Sequence, residues 1–150
     1  MIRPFETGDF ARLLDLAEDM RAESPAYKDF GIVKEKLLMV GEATITLPDT
    51  YFGAVAVENE EIIGFVLGFC TEHYFTHDKI ASDLALYVTP AHRGGSAAMK
   101  LIGWFEVWSR KHGARTLSLS ISTGKDAERI AVLFERLGFK RDCITCKKVL

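Results

Sequence analysis

Between Val88 and Ala98 the chain reads Val-Thr-Pro-Ala-His-Arg-Gly-Gly-Ser-Ala-Ala, and here residue type and spacing suggest a phosphate grip. Pro90 halts a β-rich stretch, and an amphipathic pattern resumes just after the glycines. Gly94 and Gly95 tolerate positive φ and let main chain approach a ligand, while Ala97 and Ala98 keep the first helical turn free of bulk. Amides at such a helix start, aligned with the helix dipole, suit a diphosphate. Ser96 is placed to cap the helix or donate to phosphate, and Arg93 adds a fixed positive charge beside it. The same strand, Gly-Gly and helix run also serves as plain turn geometry, so both readings stand at this point. Two other phosphate loops do not fit. No Gly-Lys-Ser/Thr follows, and the glycine spacing departs from the dinucleotide fingerprint.

Other reactive residue types are less organised. Cys70, Cys143 and Cys146 cannot all pair internally, and Cys143-Ile-Thr-Cys146 lacks a second pair for zinc. That C-x-x-C sits in a strand-like C-terminal segment, not at a helix start that lowers a thiol pKa, so reduced thiols in a cytoplasmic protein are expected. His77, His92 and His112 have no metal-ligand spacing, and no metal is expected. No Cys or Ser is visibly paired with an orienting His and carboxylate as a covalent nucleophile requires. A formal charge of -2 and a pI near 6.1 lack the basic excess of a nucleic-acid binder. The longest apolar runs are broken by Gly or charge, so neither export nor membrane insertion is indicated.

The elements that must position the loop follow from periodicity. The 150 residues, 48% hydrophobic, fit one domain over residues 1–150. After a short first strand, Phe10, Leu13, Leu14, Ala17 and Met20 stripe a helix that Thr7 or Asp9 is placed to cap. Ser24-Pro25 interrupts it. Phe30, Val33, Leu37 and Val40 predict a second helix closed by Gly41. Tyr51–Val57 and Ile62–Phe69 read as a hairpin across Glu58–Glu61, and Ile80–Val88 as a third strand. Ala98, Leu101, Ile102, Phe105 and Trp108 stripe a helix ending at Gly113. Trp108 reads as core, while an exposed Trp104 would suit a partner surface. Thr116–Ser122 alternates as a half-buried strand. Ala127, Ile130, Ala131, Phe134 and Leu137 stripe a last helix stopped by Gly138, and Phe139–Leu150 is expected to return as a final strand. The fold class is therefore α/β, a single mixed central sheet flanked by helices.

Two segments carry a resemblance. Val88-x-Pro90-x-x-Arg93-Gly94-Gly95-Ser96-Ala97-Ala98 and Leu133-Phe134-Glu135-Arg136-Leu137-Gly138-Phe139 are similar to the two signatures of the GCN5-related N-acetyltransferases, with the order of elements matching nearly the whole chain. Ser96 stands where the loop's middle glycine is usual. Phe134 replaces a tyrosine that commonly protonates the departing CoA thiolate, and Ala127 replaces an asparagine.

The resemblance implies acetyl-CoA as acyl donor, held by Val88, Arg93, Gly94, Gly95, Ser96, Ala97, Ala98 and Phe134. It implies that Ile80–Val88 splays from Thr116–Ser122 and that pantetheine lies in the wedge. The Val88 N–H, or one beside it, then faces the thioester oxygen. Asp83 is the candidate general base, with Glu72 and His73 as alternatives, and Tyr87 or water the candidate acid. Glu23, Tyr27 and Phe30 lie near the acceptor. Lys125 and Arg129, one turn apart, either meet the cofactor phosphates or form a solvated face. The acceptor is a small-molecule, peptide or protein amine, and Glu23, Asp29, Glu72 and Asp83 lean toward a cationic one. A homodimer is left open. The alternative is a module that binds acyl-CoA without rapid transfer.

Overall fold

The β-branched and aromatic residues from Tyr51 onward form the antiparallel centre of one sheet. A computed structural model describes residues 1–148. The strands are β1 (Ile2–Pro4), β2 (Tyr51–Glu58), β3 (Glu61–Glu72), β4 (Lys79–Val88) and β5 (Ala114–Ser118), in spatial order β1-β2-β3-β4-β5. The first three junctions are antiparallel and the last is parallel. Asn59 and Glu60 both take positive φ, 49° and 67°, the requirement of a two-residue turn whose twist matches its strands.

Alternation along the strands gives the sheet two apolar faces. On one face α3 (Ala97–Lys111) buries Leu101 and Phe105 against Phe52, Ala54, Val66, Ala81 and Val88. The Phe52 and Phe105 rings stack at 5.2 Å. On the other face α1 (Phe10–Glu23) buries Leu16 against Val55, Phe65 and Tyr87. Each such large side chain contributes about 1.5–3 kcal/mol by leaving water. Tyr87 and Val88, successive residues of β4, thus face opposite layers.

The second helix, α2, spans Lys34–Thr46, later than the stripe from Phe30 predicted. Gly41 does not close it. The Phe10 ring lies 3.1 Å from where a Gly41 Cβ would project, so this glycine serves a close α1–α2 approach within the helix. Asp9 caps the 3-10 turn before α1, accepting the Glu6 N–H at 2.9 Å and a two-pronged bond from Arg3. It makes no side-chain cap to α1 itself.

The expected strand over 116–122 is shorter and earlier, ending at Ser118. The last helix, α4 (Ala127–Arg136), lies close to the expected span. The expected final strand does not form within 139–148; residues 149–150 lie outside the described part of the chain. Arg141 is drawn instead onto Glu128 and Glu135 of α4, both at 2.7 Å, and Phe139 packs on Phe134. Those bonds hold the segment on α4 rather than at a sheet edge.

Candidate active site

The sheet opens where chemistry was expected. Parallel pairing of β4 with β5 runs from Lys79 opposite Ala114 to Ser82 opposite Ser118 and then stops. Asp83–Val88 continue paired with β3 alone. A register shift aligns Leu67 with Ala85 and Gly68 with Asp83, so Leu84 is the extra residue of a β-bulge at the apex of the opening. A bulge bends its strand and raises local twist, a physical reason for β4 to leave β5 here.

Asp83 sits at that apex. Its carboxylate accepts the Ser120 N–H at 2.9 Å, replacing the strand carbonyl that Ser120 lacks beyond the end of the ladder. Burial pushes the acid up to about 6, while the Ser120 amide partly offsets that rise.

Six residues on, Thr89 donates its N–H to Ile63 of β3 at 2.9 Å. Val88 therefore belongs to a non-hydrogen-bonded pair with Gly64, and its own N–H points away from β3 into the wedge.

The phosphate loop follows. Gly94 has φ of 87°, and Ser96 is the N-cap residue of α3 without a side-chain cap bond. Lys100 is the first residue of this helix whose N–H reaches back, to Ser96 at 3.0 Å. The amides before it, through Ala97 and Ala98, are the outward donors of a helix start.

The Arg93 guanidinium is not where a phosphate charge was expected. It turns inward, donating through Nε to the Val88 carbonyl at 2.8 Å and through Nη1 to Glu23 at 3.0 Å. Its Nη2 also bonds Glu23, and its Cζ lies 5.4 Å above the Tyr87 ring. A cation that does come beside the loop is Arg129 of α4, whose Nη2 is 3.8 Å from where a Gly94 Cβ would project. Lys125 instead bonds Glu23. Glu23 is thus bound within the protein by Arg93 and Lys125, and these bonds, Arg93's above all, pull its carboxyl down to about 2.

Burial and the Glu23 carboxylate push the Tyr87 hydroxyl well above its ordinary range, so it keeps its proton. Phe134 is buried against Phe139, 5.9 Å between ring centroids. Tyr27 and Phe30 pair edge to face at 6.2 Å, with Phe30 66% exposed. Lys147 Nζ donates to the Tyr27 hydroxyl at 3.4 Å. Neither Glu72 nor His73 is at the wedge apex: Glu72 pairs with Lys79 in the β3–β4 ladder and with His77. Among the described residues no His, Cys, Asp and Glu cluster suits a metal. No helix there is long and apolar enough to cross a membrane.

Missed from sequence were the Asp83–Ser120 and Glu23–Arg93 bonds. Their partners lie far apart in the chain, and the only local sign was a carboxylate, Glu23, at the end of a helix whose dipole disfavours it.

Comparison with known proteins agrees with this geometry. Residues 49–141 match the family model described as an acetyltransferase (GNAT) domain, more than half of the chain, so the chain belongs to the GNAT acetyltransferases. It is an acyl-CoA-dependent N-acetyltransferase. The fold is shared over its full length with AAC(6')-Iy in complex with the bisubstrate analogue CoA-S-monomethyl-acetylneamine, at 18% identity, 98% coverage of that chain and a TM-score of 0.77. A Trypanosoma brucei acetyltransferase is likewise 18% identical, with 100% of this chain and 99% of that one covered and a TM-score of 0.77. An aminoglycoside acetyltransferase from an uncultured soil metagenomic sample, in complex with sisomicin, is 17% identical over 100% and 95%, with a TM-score of 0.74. Among curated proteins none matches the chain.

Proposed function

We propose that this chain transfers an acetyl group from acetyl-CoA directly to a primary amine of a small molecule, with Asp83 as general base. The observation that carries this reading is the opening of β4 from β5 at Asp83, with the Val88 N–H turned into the gap. Pantetheine amides fit there as substitutes for the missing strand partner. The amides of Gly94, Gly95, Ser96, Ala97 and Ala98 receive the diphosphate, and Arg129 supplies the nearby charge that Arg93 directs to Glu23.

The amine attacks only when neutral, and Asp83 takes its proton, directly or through water. A carboxylate near 6 is ionised at neutral pH yet basic enough for this work. The oxygen of the attacked carbonyl gains negative charge against the Val88 N–H. The CoA sulfur then leaves, its proton coming from Tyr87 or from water; a thiol of reference pKa about 8.5 makes a tolerable leaving group without a strong acid. Tyr27 and Phe30 frame the acceptor at the α1–α2 loop. Aminoglycosides are acceptors to try first, because several of the proteins with this fold are named for them.

The test is a screen of aminoglycosides, polyamines, amino acids and peptides with acetyl-CoA, read by thiol release and product mass. Acceptor-dependent thiol release with an acetylated amine is expected. Acetyl-CoA binding without turnover of any amine would favour the binding-module reading, for which buried Phe134 in place of a proton-donating tyrosine is the specific observation.

A further inference from the structure

Glu23 ends α1, where the helix carbonyls disfavour a carboxylate, yet its side chain is only 20% exposed. Two cations from distant parts of the chain meet on it: Arg93, the residue before Gly94, grips both its oxygens, and Lys125, just ahead of α4, bonds Oε2. Arg93 at the same time holds the Val88 carbonyl at 2.8 Å. One carboxylate thus fixes both ends of the Val88–Arg93 connection, from the peptide that follows the wedge to the residue that opens the phosphate loop. The neighbouring Ser24 extends the anchorage: its Oγ donates to the Thr123 carbonyl at 2.8 Å, and the Ala26 N–H reaches the same carbonyl at 3.2 Å.

We propose that Glu23 is a positioning residue for the acyl-CoA site, locking the phosphate loop and the start of α4 to the end of α1 through Arg93 and Lys125. Its carboxylate is consumed by that lock and does not serve as an acceptor contact. The inference rests on the acyl-CoA reading above and deepens it. Arg93 acts through the loop geometry, and its charge is balanced by Glu23 before any phosphate arrives. Without the carboxylate, Arg93 and Lys125 face each other as like charges, and the Val88–Arg93 connection loses its anchor.

The test is the acetyl-CoA dissociation constant, measured by calorimetry on folded protein without acceptor, in Glu23→Gln, Arg93→Gln, the double variant and Glu23→Asp. Glu23→Gln keeps the size and removes the charge. Each Gln variant should weaken acetyl-CoA binding by about tenfold or more, with the double variant no worse than the weaker-binding single, as expected for groups acting as one unit. Glu23→Asp, which keeps the charge, should recover part of the affinity and guards against failure of the Gln variant to fold. Acceptor KM at saturating acetyl-CoA should move little. Unchanged acetyl-CoA affinity in Glu23→Gln with a raised acceptor KM would overturn the proposal in favour of an acceptor contact. Losses that multiply in the double variant would also overturn it. Failure of the wild-type protein to bind acetyl-CoA would instead count against the acyl-CoA reading itself.

Discussion

Replacing Asp83 by Asn should make the protein more stable and far less active, and both effects can be worked from its surroundings. The asparagine amide retains an oxygen for the Ser120 N–H, which the native carboxylate accepts at 2.9 Å, so the apex of the wedge keeps its bond. The replacement removes the cost of ionising a half-buried acid whose pKa rises from 3.8 to about 6. That rise corresponds to about 3 kcal/mol at most. The sign follows from proton binding: between about pH 4 and 6 the folded protein holds a proton that the unfolded chain has released, so stability falls as pH rises. The penalty is absent below that window and complete above it. Asp83→Asn should therefore melt like the wild type near pH 4 and higher than it at pH 8, by an amount worth about 1–3 kcal/mol. Turnover should fall by about 10²–10⁴-fold with acetyl-CoA affinity kept. In the wild type kcat/KM should drop about tenfold per unit below pH 6, an inflection the variant lacks. Thermal melts at both pH values and a kcat/KM profile give the answer. A variant that stays active, or that melts lower at pH 8, would refute the assignment of Asp83 as a buried base.

Gly94→Val places a β-branched residue at φ of 87°, costing about 1–3 kcal/mol of strain, and should abolish acetyl-CoA binding; unchanged calorimetric affinity in a folded variant would remove the loop from the cofactor site. Replacing Cys70, Cys143 and Cys146 by Ala should preserve activity, because no thiol is needed for direct transfer; a stoichiometric acetylated enzyme that forms with acetyl-CoA alone and discharges to acceptor would contradict this. Tyr87→Phe should lower turnover if that hydroxyl supplies the thiolate's proton, whereas water as donor leaves turnover nearly unchanged. Phe134→Tyr should keep acetyl-CoA affinity and leave turnover unchanged or raised; loss of binding would mark Phe134, buried against Phe139, as packing remote from the sulfur.

Local signals carried much of the fold. The stripe of Leu101, Phe105 and Trp108 and the alternation in β2 and β3 were legible because each pattern reflects burial on one surface. Legible too was the loop, since Gly94 declares its positive φ by being glycine. What failed depended on partners distant in sequence. Gly41 looked like a helix stop and proved to be a seat for Phe10. Residues 119–122 alternate like a strand but lose β4 at the Leu84 bulge, which no local pattern marks. The final strand gave way to Arg141 bonding Glu128 and Glu135 on α4. In the candidate site, residue type and glycine spacing pointed to the loop and the family resemblance to Asp83 and Val88, but neither marked where the Arg93 charge is directed, which depends on Glu23 seventy residues earlier.

The most direct measurement of the central claim is a crystal structure with a stable acetyl-CoA analogue. Pantetheine should lie between β4 and the 119–122 segment, the diphosphate within about 3 Å of the Gly94–Ala98 amides, and the acyl oxygen at the Val88 N–H. An analogue whose diphosphate lies away from the Gly94–Ala98 amides, or whose acyl oxygen is turned away from Val88, would contradict the account.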